Sequence, residues 1–473
     1  MFLRNTFIFV YLLVTAFIFA TFDTSISLWL SFFSNAIIIT FITYFHIFIE
    51  KTYSPFLSTY IVFNFLFFLV APMSQASTMT AMEFPVYGNQ FPFDEWVFIK
   101  TNFLISGFHI VFFLTYIGTK TLIKTTKKPP VNLKGKTYII PFIFLILSAL
   151  IIITNFGFLV DEFTRPSWKV SDYNISDLLI RTKVLFIIPL AGIVISTSYL
   201  IKSKLTASKW LFLIISIAVF LIFLLVLKNP LTEKRNALGP IYLLLIFLFY
   251  PKLMNSNVKT TFLLFFSMIV AFPALQFLTH VDYGIADLIS NPSLFLRKND
   301  LNLGYMSLNY DAFINIGVVI EIVEENGLSY GFQSLSAFLF FVPRSLWLSK
   351  PDSSGLVVGD HLIERYDFWF ANLSNPLVSE GYMNFGYFGV FLMAFLLAIT
   401  IVYFLTWLNS KDYLKKAIAF YFAMHLIFLL RGDFTNGFSY FIGTLIGLYI
   451  VPKSIIYLIG IVLDQKIWVS KKN

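Results

Sequence analysis

Apolar residues in this chain do not alternate with polar ones. They run in long unbroken blocks separated mostly by short polar connections, and WLFLIISIAVFLIFLLVL from Trp210 to Leu227 is typical. A helix needs about 20 apolar residues to cross the hydrocarbon of a bilayer. Twelve blocks meet or approach that length, near 6–22, 26–49, 55–73, 96–117, 138–159, 184–201, 210–227, 236–250, 260–278, 386–408, 417–430 and 438–451. Those at 236–250, 417–430 and 438–451 are short and need flanking residues to span. A membrane β-barrel would show strands of about ten residues alternating apolar and polar, which these blocks do not. The pattern predicts an all-α, polytopic membrane protein. No small-residue cleavage site follows the first block, which therefore reads as a signal anchor.

Composition narrows the class further. Of 473 residues, 58% are hydrophobic, 12% are charged and 59 are Phe. A soluble protein of this length needs a polar skin that such a composition cannot supply. There is no cysteine, which removes disulfides, thiol nucleophiles and thiolate metal sites. No phosphate-binding loop or dinucleotide fingerprint occurs. No internal repeat is evident, which weighs against an inverted-repeat transporter.

The net charge of +9 matters less than its distribution. The connection after the fourth block holds Lys120, Lys124, Lys127, Lys128, Lys134 and Lys136 with no acid, a strong cytoplasmic marker. Counting outward from it puts both termini inside. The loops assigned inside then sum to about +17 and the rest of the chain to about −8, as the positive-inside rule requires. The long segment 279–385 falls outside, with twelve acids against five bases. A structureless loop of that length is unusual, so a folded outer subdomain is expected. It would sit between a transmembrane bundle of about nine helices over 1–278 and a C-terminal part over 386–473. Within it, residues 335–348 are apolar but too short to span, and Pro343 and Arg344 interrupt them. They read as a re-entrant or interfacial segment, with Arg344 at the lip of a cavity open to the outer face.

Outer loops should be poor in Lys and Arg, so the exceptions carry information. KNPLTEKRNALGP contains Arg235, FFVPRSLWLSKP contains Arg344 and Lys350, and RGDFTNG contains Arg431 and Asp433. A guanidinium keeps its charge and offers a planar fork of donors to phosphate oxygens. Three outer arginines at span ends suit one shared anion. The plain alternative is that each snorkels to lipid headgroups, or that Arg431 pairs locally with Asp433. For acid–base work the candidates are Glu380, shortly before the tenth block, and His361. Either would otherwise be a solvated loop residue. Asp360 beside His361 lacks a suitably spaced third ligand, so no metal site is expected. His46, His109 and His425 lie inside spans and read as isolated structural polar groups.

The stretch 306–389 resembles the Wzy-type polymerases of bacterial O-antigens and capsules. The resemblance rests on YMSLNYDAFINIGVVIEIVEENGLSYG, FFVPRSLWLSKP and NPLVSEGYMNFGYFG in order, then LLRGDF at a later span end and an outer arginine, Arg235, after a mid-chain span. The number of spans, the one large outer loop and the inside termini also match that family's layout. The resemblance implies a GT-C-like membrane glycosyltransferase in the bacterial cytoplasmic membrane, acting on its outer face without cofactor, metal or nucleotide sugar. Its substrate would be an oligosaccharide repeat unit on undecaprenyl diphosphate. Its partners would be the bilayer, a chain-length regulator and a flippase, with no nucleic acid.

Breaking a sugar–diphosphate bond develops negative charge on the leaving group, and fixed cations in a poorly hydrated site stabilise it. That assigns Arg344, Arg235 and Arg431 to the diphosphate and Glu380, then His361, to the acceptor hydroxyl. Tyr366, Trp369, Asn372 and Asn384 are candidates for holding the glycan. A ligase moving finished glycan onto lipid A–core is the nearest alternative. A flippase would instead bury charge at mid-membrane, and an export-assembly protein would have no use for three outer arginines.

Overall fold

The computed structural model describes residues 1–82, 94–122, 138–164, 175–202, 205–230, 233, 235–271, 290–291 and 308–470. Most of the lysine-rich connection 123–137 and the first part of the long outer segment lie outside these. Among the described residues there are helices and turns and no strand.

The helices are α1 (Phe2–Ala20), α2 (Ile26–Tyr44), α3 (Pro55–Phe65), α4 (Ala71–Met82), α5 (Glu95–Leu122), α6 (Ile139–Thr154), α7 (Phe156–Thr164), α8 (Ile175–Lys183), α9 (Ile188–Lys202) and α10 (Ala207–Leu227). They continue as α11 (Arg235–Phe249), α12 (Asn257–Phe266), α13 (Ala312–Asn326), α14 (Phe332–Phe338), α15 (Ser354–Tyr366), α16 (Leu377–Leu408), α17 (Tyr413–Arg431), α18 (Phe434–Leu445) and α19 (Val451–Ser470). Several joins are continuous: α3 runs into α4 through a π-turn, and α18 into α19.

Among the described residues, nine helical stretches are long and apolar enough to cross a membrane. The pair α6–α7, bent by 60° at Asn155, makes a tenth if it counts as one span. The two other expected spans are helical but shorter, Asn236–Phe249 and Asn257–Ala271. Within the described residues, every apolar block thus forms helix. Local signals set the helix starts: Pro55 opens α3, and the side chains of Ser25, Asp412 and Asp433 cap α2, α17 and α18.

The stretch Pro55–Ser77 lies at the centre and is buried apart from the half-buried Ser74 and Ser77, with α12 and α17 against it. At the rim, Phe2–Ala20 is only 6% buried and turns Phe9, Leu13 and Phe17 outward. Such a surface is stable only against an apolar solvent. Polar glue joins α2 to α5, where Asn35 Nδ2 donates to Asn102 Oδ1 at 2.6 Å and Ser106 Oγ to Asn35 Oδ1 at 2.6 Å. Interhelical bonds of this kind contribute about 0.6–2 kcal/mol each in a bilayer.

The histidines within spans are not isolated. His46 bonds Glu50 at 2.5 Å and Ser58 at 2.8 Å, and Glu50 also takes Tyr116 and Lys120, each at 2.5 Å. This knot joins span ends that the charge count assigns to the cytoplasm. His109 bonds the Tyr60 hydroxyl at 2.6 Å, and His425 the Gly437 carbonyl at 2.9 Å.

One break matters for the site. Within α16, Phe385 and Gly386 leave helical geometry, and Gly386 has φ +61°. The chain folds back there so closely that a Cβ on Gly389 would lie 1.9 Å from the Gly381 carbonyl oxygen. The NFGYFG run is therefore a built corner, which sets the short helical piece ending at Asn384 against the start of the long one.

Candidate active site

Span ends that the charge count sends outward meet around the turn Arg431–Phe434, between α17 and α18. Asp433 accepts from Asn436 N at 2.8 Å and from Asn436 Nδ2 at 2.7 Å, closing the first turn of α18. The next amide, Phe434 N, donates to Glu380 Oε1 at 2.8 Å. Ser354 Oγ donates to the same carboxylate oxygen. Glu380 is 2% exposed and ties together the first turns of α15, α16 and α18. At Asp433 burial pushes the carboxyl up, and the Asn436 bonds and the nearby Lys183 ammonium work against that rise.

Arg431 lies at the end of α17. Its Nη2 donates to the Leu308 carbonyl at 2.7 Å and to Asp311 Oδ1 at 3.0 Å. Its partner is thus Asp311 and not the neighbouring Asp433. Asp311 is buried and also accepts from Ser374 Oγ at 2.6 Å and Asn315 Nδ2 at 3.2 Å. Arg431 Nε is buried without a hydrogen-bond partner among the described residues. A buried donor left unpaired costs about 1–3 kcal/mol, so this Nε stands out among the described residues.

The expected short apolar segment 335–348 begins in helix α14 and continues as turns. Phe338 packs on Phe434 and Phe438, with ring centroids 5.5 and 5.3 Å apart, which seats the segment against α18. Both cations of its VPR-x-x-W-x-x-KP run hold the loop. Lys350 Nζ donates to the carbonyls of Leu339, Phe340 and Val342 at 3.3, 2.9 and 2.9 Å. Arg344 donates to Lys350 O at 2.7 Å and Asp352 Oδ1 at 2.5 Å. Arg344 nevertheless remains half exposed, and its partner Asp352 is two residues along the chain from the Ser354 that reaches Glu380.

The other candidates separate. His361 sits one turn or more along α15 with Glu321 of α13, its Nε2 3.6 Å from Glu321 Oε1. Tyr366 and Arg365 reach the same oxygen at 2.6 and 3.0 Å. Burial and Glu321 push the Tyr366 phenol up to about 12. Trp369 and Asn372 are exposed on the chain that leads into α16. Asn384 is buried, its amide spent on the Glu380 carbonyl at 2.8 Å, Ser329 Oγ at 3.0 Å and Ser334 N at 3.2 Å. Arg235 opens α11, and its side chain lies outside the described residues. Among the described residues no group of three or more His, Asp and Glu is placed to hold a metal ion.

The residues that complete this constellation but carried no signal as a motif are Asp311, Ser354 and Lys183. Lys183 had one available signal, a cation beside Arg181 at the supposedly cation-poor outer start of the sixth span.

Residues 373–460 match the family model for O-antigen polysaccharide polymerase Wzy. The matched segment contains NPLVSEGYMNFGYFG and LLRGDF, hence Glu380 and Arg431, and leaves out the VPR run, Arg235 and His361. No curated protein and no solved structure matches the chain.

Proposed function

We propose, from the premise that residues 373–460 are a segment of the O-antigen polysaccharide polymerase Wzy family, that this multi-pass membrane protein polymerises lipid-linked oligosaccharide repeat units. The substrate is a glycan on undecaprenyl diphosphate, and the site faces the outer side of the bacterial cytoplasmic membrane. The observation that carries this reading is the meeting of Glu380 with the Arg431–Phe434 turn inside the matched segment.

The reaction breaks the bond between the anomeric carbon of the growing glycan and the diphosphate oxygen. The bonding pair leaves with the diphosphate. A hydroxyl oxygen at the non-reducing end of the incoming unit bonds to that carbon and gives up its proton. Arg431, oriented by Asp311 and Leu308 O, binds the diphosphate and stabilises the charge it gains. Arg344 adds a second cation from the loop against α18, and Arg235 a third from the start of α11. Glu380 takes the acceptor proton, as a base inside an apolar site can. His361 is grouped with Glu321 and Tyr366, and Tyr366 with the exposed Trp369 and Asn372 would hold the glycan.

The test uses purified full-length protein in nanodiscs with lipid-linked repeat units, products being resolved by length. Wild type makes chains of more than one repeat. Arg431→Ala reduces the rate by at least about 100-fold, the scale of losing one preorganised charge contact in such a site. Normal elongation by Arg431→Ala would overturn the assignment of the site.

A further inference from the structure

We infer that residues 332–348 form a membrane-docking surface, whose outward apolar side chains are taken up by lipid hydrocarbon at the bilayer surface without re-entering the bilayer. This surface lies outside the polymerase reading and stands without it.

The side chains are turned the wrong way for water. Phe341 is 62%, Leu346 80% and Leu348 89% exposed. Phe332, Leu335 and Phe338, spaced by three along α14, are exposed as well. Trp347 packs edge-on against Phe332, ring centroids 5.7 Å apart, which joins the loop to that helix. A water-facing loop shows such groups singly and not in this density.

The backbone is arranged the opposite way. Beyond α14 the chain runs in turns, yet many of its carbonyls find donors inside the loop. Lys350 Nζ takes those of Leu339, Phe340 and Val342, and Arg344 takes those of Lys350 and Pro351. The Pro343 carbonyl accepts from Leu346 N at 3.0 Å, and the Trp347 carbonyl from Lys350 N at 3.1 Å. Water would satisfy such groups unaided, whereas irregular backbone beside hydrocarbon needs partners within the protein.

The attachment sets the level. Phe338 packs on Phe434 and Phe438, and Phe340 on Phe438 with ring centroids 6.3 Å apart, so the segment sits on the first two turns of α18. α18 opens the stretch Phe434–Ile461, which is long and apolar enough to cross a membrane and only 28% buried. The outward side of that stretch meets lipid, and residues 332–348 continue the same surface at the end of the span, where headgroups lie. Arg344, Ser345 and Ser349 are exposed between the apolar groups, a mixture that suits the interface and not the hydrocarbon interior.

The chain has no cysteine, so Leu346→Cys and Leu348→Cys can each carry one environment-sensitive fluorophore on full-length protein in phospholipid vesicles. Asn372→Cys, exposed on the chain that leads into α16, is the reference. The quenchers are aqueous iodide, a phospholipid with a nitroxide high on its acyl chain, and one with the nitroxide at the chain end. The expected result is that both leucine positions are quenched at least about twofold more by the shallow nitroxide than by the deep one, and at least about twofold less by iodide than Asn372→Cys. Iodide quenching equal to that of Asn372→Cys would put the loop in water and overturn the inference. Equal or stronger quenching by the deep nitroxide would make the segment re-entrant and overturn it too. Protection from all three quenchers would mean that a second copy or another protein covers the surface, which also contradicts it. Phe341→Cys, likewise exposed, is read by the same criteria if a leucine variant does not insert. Each of these outcomes leaves the polymerase reading as it is.

Discussion

At Glu380 one carboxylate oxygen takes two donors, Ser354 Oγ and Phe434 N, so the residue proposed as the base is also a clasp. Substitution separates these roles. Glu380→Gln keeps an oxygen that accepts both bonds, and the variant should insert and melt like wild type while polymerising about 100-fold or more slowly. Wild-type chain length from Glu380→Gln would leave the clasp and remove the base. Tyr366 gives a pH signature away from the membrane. Its hydroxyl donates to Glu321 at 2.6 Å, and its folded value of about 12 stands above the ordinary 10.0. The neutral phenol is the form the fold favours, so its contribution is whole below pH about 10 and is lost as the pH rises through about 12. The difference in melting between wild type and Tyr366→Phe should follow that course, and a difference flat from pH 9 to about 12 would contradict it. At this scale the sequence singled out Arg431 and Arg344 because outer cations against the positive-inside trend are few, and Glu380 as a carboxylate shortly before the tenth block. It did not disclose Asp311, which lies 120 positions from Arg431, or the burial of Lys183, because neither leaves a local pattern.

The elements explain which candidates could meet. Ser354 and His361 share α15 but are seven residues apart, about 10 Å at 1.5 Å per residue. Ser354 therefore faces Glu380 while His361 faces Glu321. The two candidate bases, Glu380 and His361, are held apart for this geometric reason. The apolar pattern opens the tenth span at 386, whereas α16 begins at Leu377. The corner at Phe385–Gly386 shows only in the close approach of Gly381 and Gly389. Gly389→Ala puts a methyl 1.9 Å from a backbone oxygen and must open that corner. It should abolish elongation with helix content by circular dichroism unchanged. Gly118→Ala has nothing within 4 Å and should behave as wild type. Equal polymer from the two variants would show that the corner does not position the site.

Across the whole molecule, the blocks of apolar sequence gave the helices with little loss, since a bilayer-length run leaves the backbone few other ways to satisfy its polar groups. The orientation is open to direct measurement because the chain has no cysteine. Single cysteines at Asn372 and Lys411, both exposed, should differ. Asn372→Cys should react with an impermeant maleimide on intact spheroplasts, and Lys411→Cys only after permeabilisation. The reverse order would invert the topology and place the Arg431 turn inside. The polymerase assignment itself is tested most directly by the surface glycan of cells that lack the gene, resolved by length on a gel and compared with complemented cells. A polymerase predicts that the long ladder collapses to carrier lipid bearing a single repeat and returns on complementation. Carrier with no repeat at all, or an undiminished ladder, would contradict it.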